Sequence, residues 1–195
     1  MSKPARLHED GKKRCPWPGE DPFYVAYHDT EWGVPEYDDR ALYEKLILDG
    51  FQAGLSWITI LRRRPAFRAA FHAFDPTRVA SMDGDDVERL MQDTSIIRNR
   101  AKIEATISNA AITVELTGQR EGALDELMWG FAPPPRAAPL ASLSDVPAVT
   151  DQSTAMSKAL RTLGYRFVGP TTLYALMQSS GMVDDHVAGC ARAAR

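Results

Sequence analysis

Apolar residues recur along this chain with the period of an α-helix, whereas the alternation typical of a half-buried strand is nearly absent. Over the longest stripe the spacings are four, three and four residues, which places the apolar side chains on one helical face. That stripe consists of Ile103, Ile107, Ala110 and Val114. The pattern predicts an all-α fold.

Helix-start and helix-stop signals agree with this periodicity. Asp38 and Asp39 precede a stripe that contains Leu42, Leu46 and Ile47, and Asp75 stands before a proline in the way an N-cap precedes the first helical position. Further helices are predicted from Asp83 to Met91, over residues 122–131, and over residues 153–163, where Gly164 follows.

The length limits how the chain is organised. Its 195 residues predict one domain or two packed lobes, at about 150 residues per domain. Residues 1–14 are polar and charged and are expected to be a flexible tail, which leaves 15–195 as the domain. Five of the 13 prolines lie within residues 132–149, and this predicts a stiff, extended connection between two helical lobes.

Charge and hydropathy exclude several classes of protein. The net charge of −3 argues against a uniformly basic surface, although it leaves room for a local basic face. No run of about 18 apolar residues predicts a membrane span, so no membrane partner is expected. The polar N-terminus has no apolar signal region, and the expected location is the cytoplasm.

The two cysteines each lie near a histidine. His186 and Cys190 are four residues apart, which on a helix would be one turn, and Cys15 lies in the same N-terminal stretch as His28. Two Cys and two His are a tetrahedral zinc set, but their spacing along the chain is not that of a zinc finger. Spacing alone leaves open the alternative of two buried thiols and two hydrogen-bonded histidines.

Three long motifs resemble the constitutive, type I 3-methyladenine DNA glycosylases of bacteria. They are CPW with YVAYHDTEWGVP (residues 15–17 and 24–35), GFQAGLSWITIL (50–61) and KALRTLGYRFVGPTTLYALMQSSGMVDDHVAGC (158–190). The resemblance implies the helix-hairpin-helix glycosylase fold. It also implies one structural zinc per chain, which joins the N- and C-terminal segments through Cys15, His28, His186 and Cys190.

The same resemblance implies a pocket for a flipped, cationic base. Tyr24, Tyr27 and Trp57 are expected to line this pocket and Trp32 to support it, while a place in the core fits Trp17 and Trp32 equally well. The alternative is that such rings are ordinary core. Faces of aromatic rings attract cations, which favours an N3-alkylated adenine over the neutral base.

Two acidic residues depart from the family pattern. Asp49 occupies the position where the family commonly has Glu, and it is expected to read the base although it is one methylene shorter. Asp184 stands where the type I enzymes have Asn. A catalytic role for Asp184, as a base or through its charge, and a purely structural role both remain open.

The reaction implied is hydrolysis of the N-glycosidic bond of 3-methyladenine in alkylated double-stranded DNA. It is the first step of base excision repair, and it yields an abasic site and the free base. Within the motifs, no lysine occupies a position at which a Schiff-base nucleophile would be expected. No lyase step and no strand cleavage are therefore predicted. We expect the enzyme to act as a monomer.

DNA contacts are expected at the hairpin that precedes Pro170, through Arg166, Gly169 and Thr171. Other candidates for phosphate contacts are Arg62, Arg63, Arg64, Arg98, Arg100, Lys102 and the run Lys12, Lys13 and Arg14. Each run could equally be a solvated face. Two other functions remain: a zinc-containing nucleobase-binding protein without catalysis, and a zinc hydrolase, which the closed ligand set disfavours.

Overall fold

The computed structural model describes residues 3–193 and confirms the all-α prediction. The nine α-helices of these residues are α1 (Pro22–Thr30), α2 (Asp39–Gln52), α3 (Trp57–Ala70), α4 (Pro76–Ala80), α5 (Gly84–Gln92), α6 (Arg100–Gln119), α7 (Ala123–Trp129), α8 (Asp151–Thr162) and α9 (Pro170–Ser179). Short 3-10 helices lie at His72–Phe74 and Leu143–Asp145. Within this part of the chain, no helix has the length and apolar character of a membrane span.

The helix starts follow from local side-chain chemistry. Asp38 accepts a hydrogen bond from the backbone of Ala41 at the start of α2, and Asp75 accepts from Thr77 and Arg78 at the start of α4. Asp83 caps α5 with a reciprocal bond to the third helical residue, Asp86. These caps satisfy amide groups that a helix leaves unpaired, which explains why acidic residues in the sequence mark these starts.

Helix α2 lies in the middle of the molecule. It contacts α3, α6, α7 and α9, and its C-terminal half is buried on almost every side. Leu42, Leu46 and Phe51 are nearly inaccessible to solvent and belong to the main core. Because α2 is enclosed in this way, Asp49 on its last turns is buried inside the protein beside α9.

The N-terminal segment differs from the flexible tail that the sequence favours. Strands β1 (Arg6–Leu7) and β2 (Lys13–Arg14) pair antiparallel, and the backbone of Lys13 accepts a hydrogen bond from Ala191. The Arg14 guanidinium is buried between the carboxylates of Asp10 and Asp29. Residues 1, 2, 194 and 195 of the predicted tail and domain lie outside the described residues.

The proline-rich segment is largely non-helical, as its composition suggests, but it is also part of the packed structure. Leu143 donates a backbone hydrogen bond to Lys3, and Leu140 accepts one from Ala188. The segment therefore links the N-terminal hairpin to the C-terminal residues.

The last segment requires a correction. His186 and Cys190 do not lie on a helix, because no α-helix is assigned between Ser179 and Ala193. Gly189 has a φ of 82°, a left-handed conformation that interrupts any helical continuation. A turn leads into Cys190 instead, in which its amide donates to the carbonyl of Val187.

Candidate active site

A cavity of about 310 Å³ opens between α1, the end of α2, the start of α3 and α9. Its aromatic wall consists of Trp17, Tyr24, Tyr27, Trp32, Trp57 and Tyr174. Its polar residues are Asp49, Gln52, Thr171, Gln178, Ser179 and Asp185. The volume is large enough to hold a single nucleobase.

The aromatic rings of this wall pack edge to face around Trp17. The ring centroid of Trp17 lies 4.8 Å from that of Tyr24 and 5.1 Å from that of Trp32. Tyr27 lies 5.9 Å from Trp57 across the same wall. Such pairs fix one another's orientation, so the cavity presents a preformed set of π-faces.

Local structure explains why these rings converge. Tyr24 and Tyr27 are three residues apart on α1 and share a face, and α1 is capped by Asp21, which accepts from the amides of Phe23 and Tyr24. Trp57 is the first residue of α3. The short turn between α2 and α3 therefore places Trp57 next to the end of α2, where Asp49 lies.

Asp49 is the buried carboxyl group of the cavity. Its Oδ2 has no hydrogen-bond partner, and no side chain forms an ion pair with it among the described residues. Burial raises the pKa of Asp49 to about 8, while the Lys45 ammonium and the Ser179 hydroxyl act in the opposite direction. An unsatisfied buried acceptor is costly for the protein alone, and this points to a ligand donor at this position.

The structure places Asp184 away from the cavity. Its side chain is 40% exposed, and its Oδ1 accepts hydrogen bonds from the His186 amide and from Nδ1 of the His186 ring. Of the two roles left open for Asp184, this position favours the structural one, because the side chain contacts a metal-ligand candidate and does not line the cavity.

Asp185 is the second carboxylate that lines the cavity, and the sequence analysis did not select it. It is buried, and its Oδ2 accepts hydrogen bonds from the Tyr174 hydroxyl at 2.6 Å and from the Gln178 amide at 2.8 Å. Arg136 lies 3.0 Å from its other oxygen. Unlike Asp49, Asp185 is therefore neutralised by the protein itself.

Three of the four predicted metal ligands form one group. The ligand atoms of Cys15, His28 and Cys190 lie within 4.8 Å of one another, and all three side chains are buried. The interaction with Cys15 lowers the pKa of Cys190, whereas the same interaction raises the pKa of Cys15. The group is thus close enough to bind a metal ion.

The fourth predicted ligand, His186, is adjacent to this group. Its ring centroid lies 5.2 Å from that of His28, and its buried Nε2 has no hydrogen-bond partner. Nδ1 of His28 is 2.8 Å from Asp29, in the same way that Nδ1 of His186 is 2.8 Å from Asp184. Carboxylates commonly orient metal-binding histidines in this manner, so the donor set fits a metal.

Aromatic rings connect the metal-ligand candidates to the cavity. Trp32 packs against His186 with centroids 4.6 Å apart, and Trp17 packs against His28 at 5.3 Å. Because both tryptophans also line the cavity, any displacement of the histidines would disturb its wall.

The loop between α8 and α9 is held firmly. The buried side chain of Asn109 accepts from the amide of Arg166 and donates to its carbonyl oxygen. Phe167 has a φ of 58° and is 39% exposed at the loop tip. A Cβ on Gly169 would meet no atom closer than 3.8 Å, so packing within the chain does not require glycine there.

Several of the basic residues proposed for DNA contact are engaged within the protein. Arg63 donates to the carbonyls of Thr94 and Ser95, and Arg64 pairs with Glu31. Arg62 pairs with Asp21, and Arg100 pairs with Glu88. Lys102 is buried and donates to the carbonyls of Phe51 and Ala53, which corrects its assignment as a phosphate contact. Arg98 and Arg166 are exposed.

The proline-rich connection contributes part of the cavity that the sequence analysis missed. Leu143, Val146, Pro147 and Ala148 form one side of it, opposite α9. No residue type in this segment signals a binding role. The adjacent acidic pair in VDDHV was a usable signal for Asp185, but only the second Asp faces the cavity.

Comparisons with known proteins agree with this site. A family model described as methyladenine glycosylase matches residues 17–193. DNA-3-methyladenine glycosylase 1 of Escherichia coli is 49% identical over 179 residues, which are 91% of this chain and 95% of that protein. DNA-3-methyladenine glycosylase of Haemophilus influenzae is 46% identical over 180 residues, 91% of this chain and 96% of the relative.

Solved structures give the same result. A crystal structure of a 3-methyladenine DNA glycosylase I superposes with a TM-score of 0.89 at 48% identity, and it covers 93% of this chain and 100% of the other. A structure of 3-methyladenine DNA glycosylase I from Staphylococcus aureus, solved for its recognition of 3-methyladenine, has a TM-score of 0.87 at 34% identity and covers 93% and 97%. The chain therefore belongs to the methyladenine glycosylase family.

Proposed function

We propose that this protein hydrolyses the N-glycosidic bond of 3-methyladenine in alkylated double-stranded DNA and releases the free base, leaving an abasic site. The observation that carries the proposal is the cavity with aromatic walls and one buried, unpaired carboxyl group, Asp49. Relatives that share almost half of the sequence are DNA-3-methyladenine glycosylases, which supports the same role in base repair.

The cavity suits a flat cation that has left the base stack. Tyr24, Tyr27 and Trp57 offer ring faces, and a cation over such a face gains about 0.5–2 kcal/mol. Asp49 in its ionised form would accept hydrogen bonds from the exocyclic amine or a ring nitrogen. The positive charge of the alkylated base already weakens its glycosidic bond, so selective capture supplies much of the discrimination.

Water is the expected nucleophile. No lysine is among the residues that line the cavity, so a Schiff-base intermediate has no nearby amine. Asp49 and Asp185 are the carboxyl groups that line the cavity, and Asp49 is the one that no cation pairs with and whose Oδ2 lacks a hydrogen-bond partner among the described residues. We therefore assign the direct role toward the base to Asp49 and a positioning role to Asp185.

The loop before α9 is the proposed DNA contact, in the manner of a helix-hairpin-helix element. Gly169 caps α9, and the chain leaves room above it for a close approach of a phosphate to the free amides. Arg166 is exposed on the same loop, and Thr171 lines the cavity just inside it. These positions connect the DNA backbone to the base site.

A structural zinc ion is the proposed occupant of the Cys15, His28, His186 and Cys190 group. Buried thiolate and imidazole donors are those that zinc prefers, and four protein ligands leave no position for a reacting water. The ion would fix the terminal segments beside the cavity, while excision itself would depend on the cavity residues. Emission spectrometry of protein purified without chelator should find one zinc per chain.

Release of 3-methyladenine from methylated duplex DNA tests the enzymatic proposal. The wild-type protein should release the base, and Asp49→Asn should lower the rate roughly 100-fold. Asp85→Asn removes an exposed carboxylate on α5 and should retain the wild-type rate. Base binding without release would favour the non-catalytic alternative, and a covalent adduct trapped by borohydride would contradict hydrolysis by water.

We also propose that the protein works as a monomer in the cytoplasm. The cavity and the metal-ligand group are built from one chain, so neither needs a residue from a second copy. Sedimentation of the protein bound to a short DNA duplex should give the mass of one chain per site.

A further inference from the structure

Lys45 is a partly buried cation behind the wall of the cavity. It lies on α2 one helical turn before Asp49, so that the two side chains share a face of the helix. Its Nζ donates to the carbonyl oxygen of Ser179 at 3.1 Å and lies 3.7 Å from a carboxylate oxygen of Glu31. Only 13% of its side chain is exposed.

A second cavity, of about 200 Å³, lies on the Lys45 side of this wall. It shares Tyr27, Trp57 and Ser179 with the base cavity. The charged side chains that line it are Glu31, Glu36, Glu44, Lys45, Arg64 and Arg68. The side of the wall that faces the base cavity is therefore mainly aromatic, and the side that faces the second cavity is lined by charged side chains.

We propose that Lys45 is a positioning residue that allows Asp49 to become a carboxylate when the cationic base enters. The inference rests on the proposed function of the cavity. Lys45 acts through Asp49 and through the end of α9, and it does not line the base cavity itself.

The other cations around Asp49 are hydrogen-bonded to carboxylates, whereas Lys45 donates to a backbone carbonyl and lies farther, at 3.7 Å, from Glu31. At the C-cap of α1, Glu31 pairs with Arg64 of α3, and on α1 Tyr27 stays neutral because burial raises its pKa well above 10. Within the second cavity Glu44 pairs with Arg68. From the segment after α9, Asp185 is bonded to Tyr174 and lies beside Arg136.

A charge count shows the consequence. Lys45 and Arg64 carry two positive charges, which balance Glu31 and an ionised Asp49; Glu44 and Arg68 balance each other, and Glu36 adds one negative charge. Without Lys45 the same state would hold one further negative charge that no cation balances. The carboxyl group would then keep its proton more strongly and pair less well with a cation.

Direct titration of Asp49 tests the proposal without DNA. Carboxyl carbon-13 NMR would follow the Asp49 signal, identified by its loss in Asp49→Asn. In Lys45→Met the midpoint should rise by roughly one pH unit relative to wild type, because the opposing positive charge is gone. Lys45→Arg should restore it, and Lys45→Gln should behave like Lys45→Met while retaining a donor for Ser179.

Excision rates provide the second readout. At pH 7 the rate in Lys45→Met and Lys45→Gln should fall roughly tenfold, in line with one unit of midpoint change, and the loss should shrink as the pH is raised. Lys45→Arg should recover most of the rate. Arg89→Met removes an exposed cation on α5 that lines neither cavity, and it should leave both the rate and the Asp49 midpoint unchanged.

The two proposals fail in different ways. An Asp49 midpoint that is the same in Lys45→Gln as in the wild type, with both proteins folded by circular dichroism, overturns the role of Lys45. An equal loss of activity in Lys45→Arg and Lys45→Gln also overturns it, since charge would then not matter. A wild-type protein that releases no base overturns the proposed function instead.

Discussion

The environment of Asp49 destabilises the protein as long as no ligand is bound. Asp49 is buried, its Oδ2 has no hydrogen-bond partner, and it stands among the aromatic rings of the cavity wall. The cost of this arrangement is offset only when a donor enters the cavity. A residue that destabilises the unliganded protein but stabilises its complex with a ligand is expected to have a role in binding.

The raised pKa of Asp49 should make the free energy of unfolding depend on pH. The folded pKa of Asp49 is about 8, well above its unfolded value, so the unfolded chain binds fewer protons between about pH 4 and pH 8. The free energy of unfolding therefore loses up to about 1.4 kcal/mol per pH unit from this group as the pH rises through that range. Asp49→Asn should abolish this loss, and its Tm should exceed that of the wild type by more at pH 8 than at pH 4.5. Equal Tm differences at the two pH values would contradict the raised pKa.

Asp184 and Asp185 are adjacent but should behave differently. Asp184→Asn keeps an oxygen that can accept from His186, so zinc content and excision should stay close to wild type. Asp184→Ala removes this acceptor and should weaken zinc retention roughly 10–100-fold, as measured by competition with a chromogenic chelator.

Asp185→Asn is the matching variant on the cavity side. It removes the charge that holds Arg136, Tyr174 and Gln178, so excision should fall while zinc retention stays unchanged. The reverse result, with loss of activity in Asp184→Asn and none in Asp185→Asn, would restore a direct role for Asp184 in catalysis.

Single residues also show how much of the site the sequence could predict. The aromatic residues named from the sequence could be predicted because each belongs to a motif whose order and spacing are typical of one family. The sequence could not predict which way the side chains of Asp184 and Asp185 point. Outside a helix or strand, the chain has no fixed period that assigns neighbouring side chains to faces. Packing also decides whether Lys102 points outward or into the core. The prediction that it lies on the surface as a DNA contact, which rested on its charge alone, was therefore wrong.

Elements were predicted best where local chemistry decides them. The starts of α2, α4 and α5 follow from Asp caps and were read directly from the sequence. Segment 183–192 was not, because His186 and Cys190 are spaced as on a helix although Gly189 and the neighbouring turns prevent one. Long-range contacts, which spacing does not encode, place Cys190 and His186 each beside His28.

The junction between α9 and the loop after α1 depends on a single glycine. Gly181 has a φ of 73°, and a Cβ there would lie 2.6 Å from the backbone nitrogen of Pro35 and 2.7 Å from the carbonyl carbon of Val34. Gly181→Ala should therefore destabilise the protein by roughly 3 kcal/mol, through strain and a backbone clash. Gly189→Ala is the control, since its φ is 82° but its Cβ would meet no atom closer than 3.9 Å.

Urea denaturation of these two variants measures the difference. The Gly189 variant should lose only the roughly 1 kcal/mol that a left-handed backbone costs an alanine. Equal destabilisation of both variants would mean that the contact between Gly181 and the loop at Pro35 does not constrain the fold.

At the scale of the whole molecule, the proposed zinc closes a loop between Cys15 and Cys190, positions 175 residues apart (190 − 15). Few other links join the terminal segments, among them the hydrogen bond from Ala191 to Lys13 and the one from Val187 to the Cys15 thiol. A metal that binds only the folded chain adds its binding free energy to stability. Because Trp17 and Trp32 pack against the two histidines, the base cavity shares that stabilisation.

Removal of zinc with a strong chelator should therefore act on both ends of the chain and on the cavity at once. The Tm should fall by roughly 10 °C or more, and amide protection should decrease at residues 13–17 and 186–191 while the main core around α2 and α6 keeps its protection. Excision should decline with the loss of metal and return when zinc is added back. Cys190→Ser should resemble the chelated protein even in excess zinc. If emission spectrometry confirms that the metal is gone and Tm, exchange and excision are all unchanged, the link between the termini and the cavity does not depend on a metal, and the thiols and imidazoles are an ordinary part of the core.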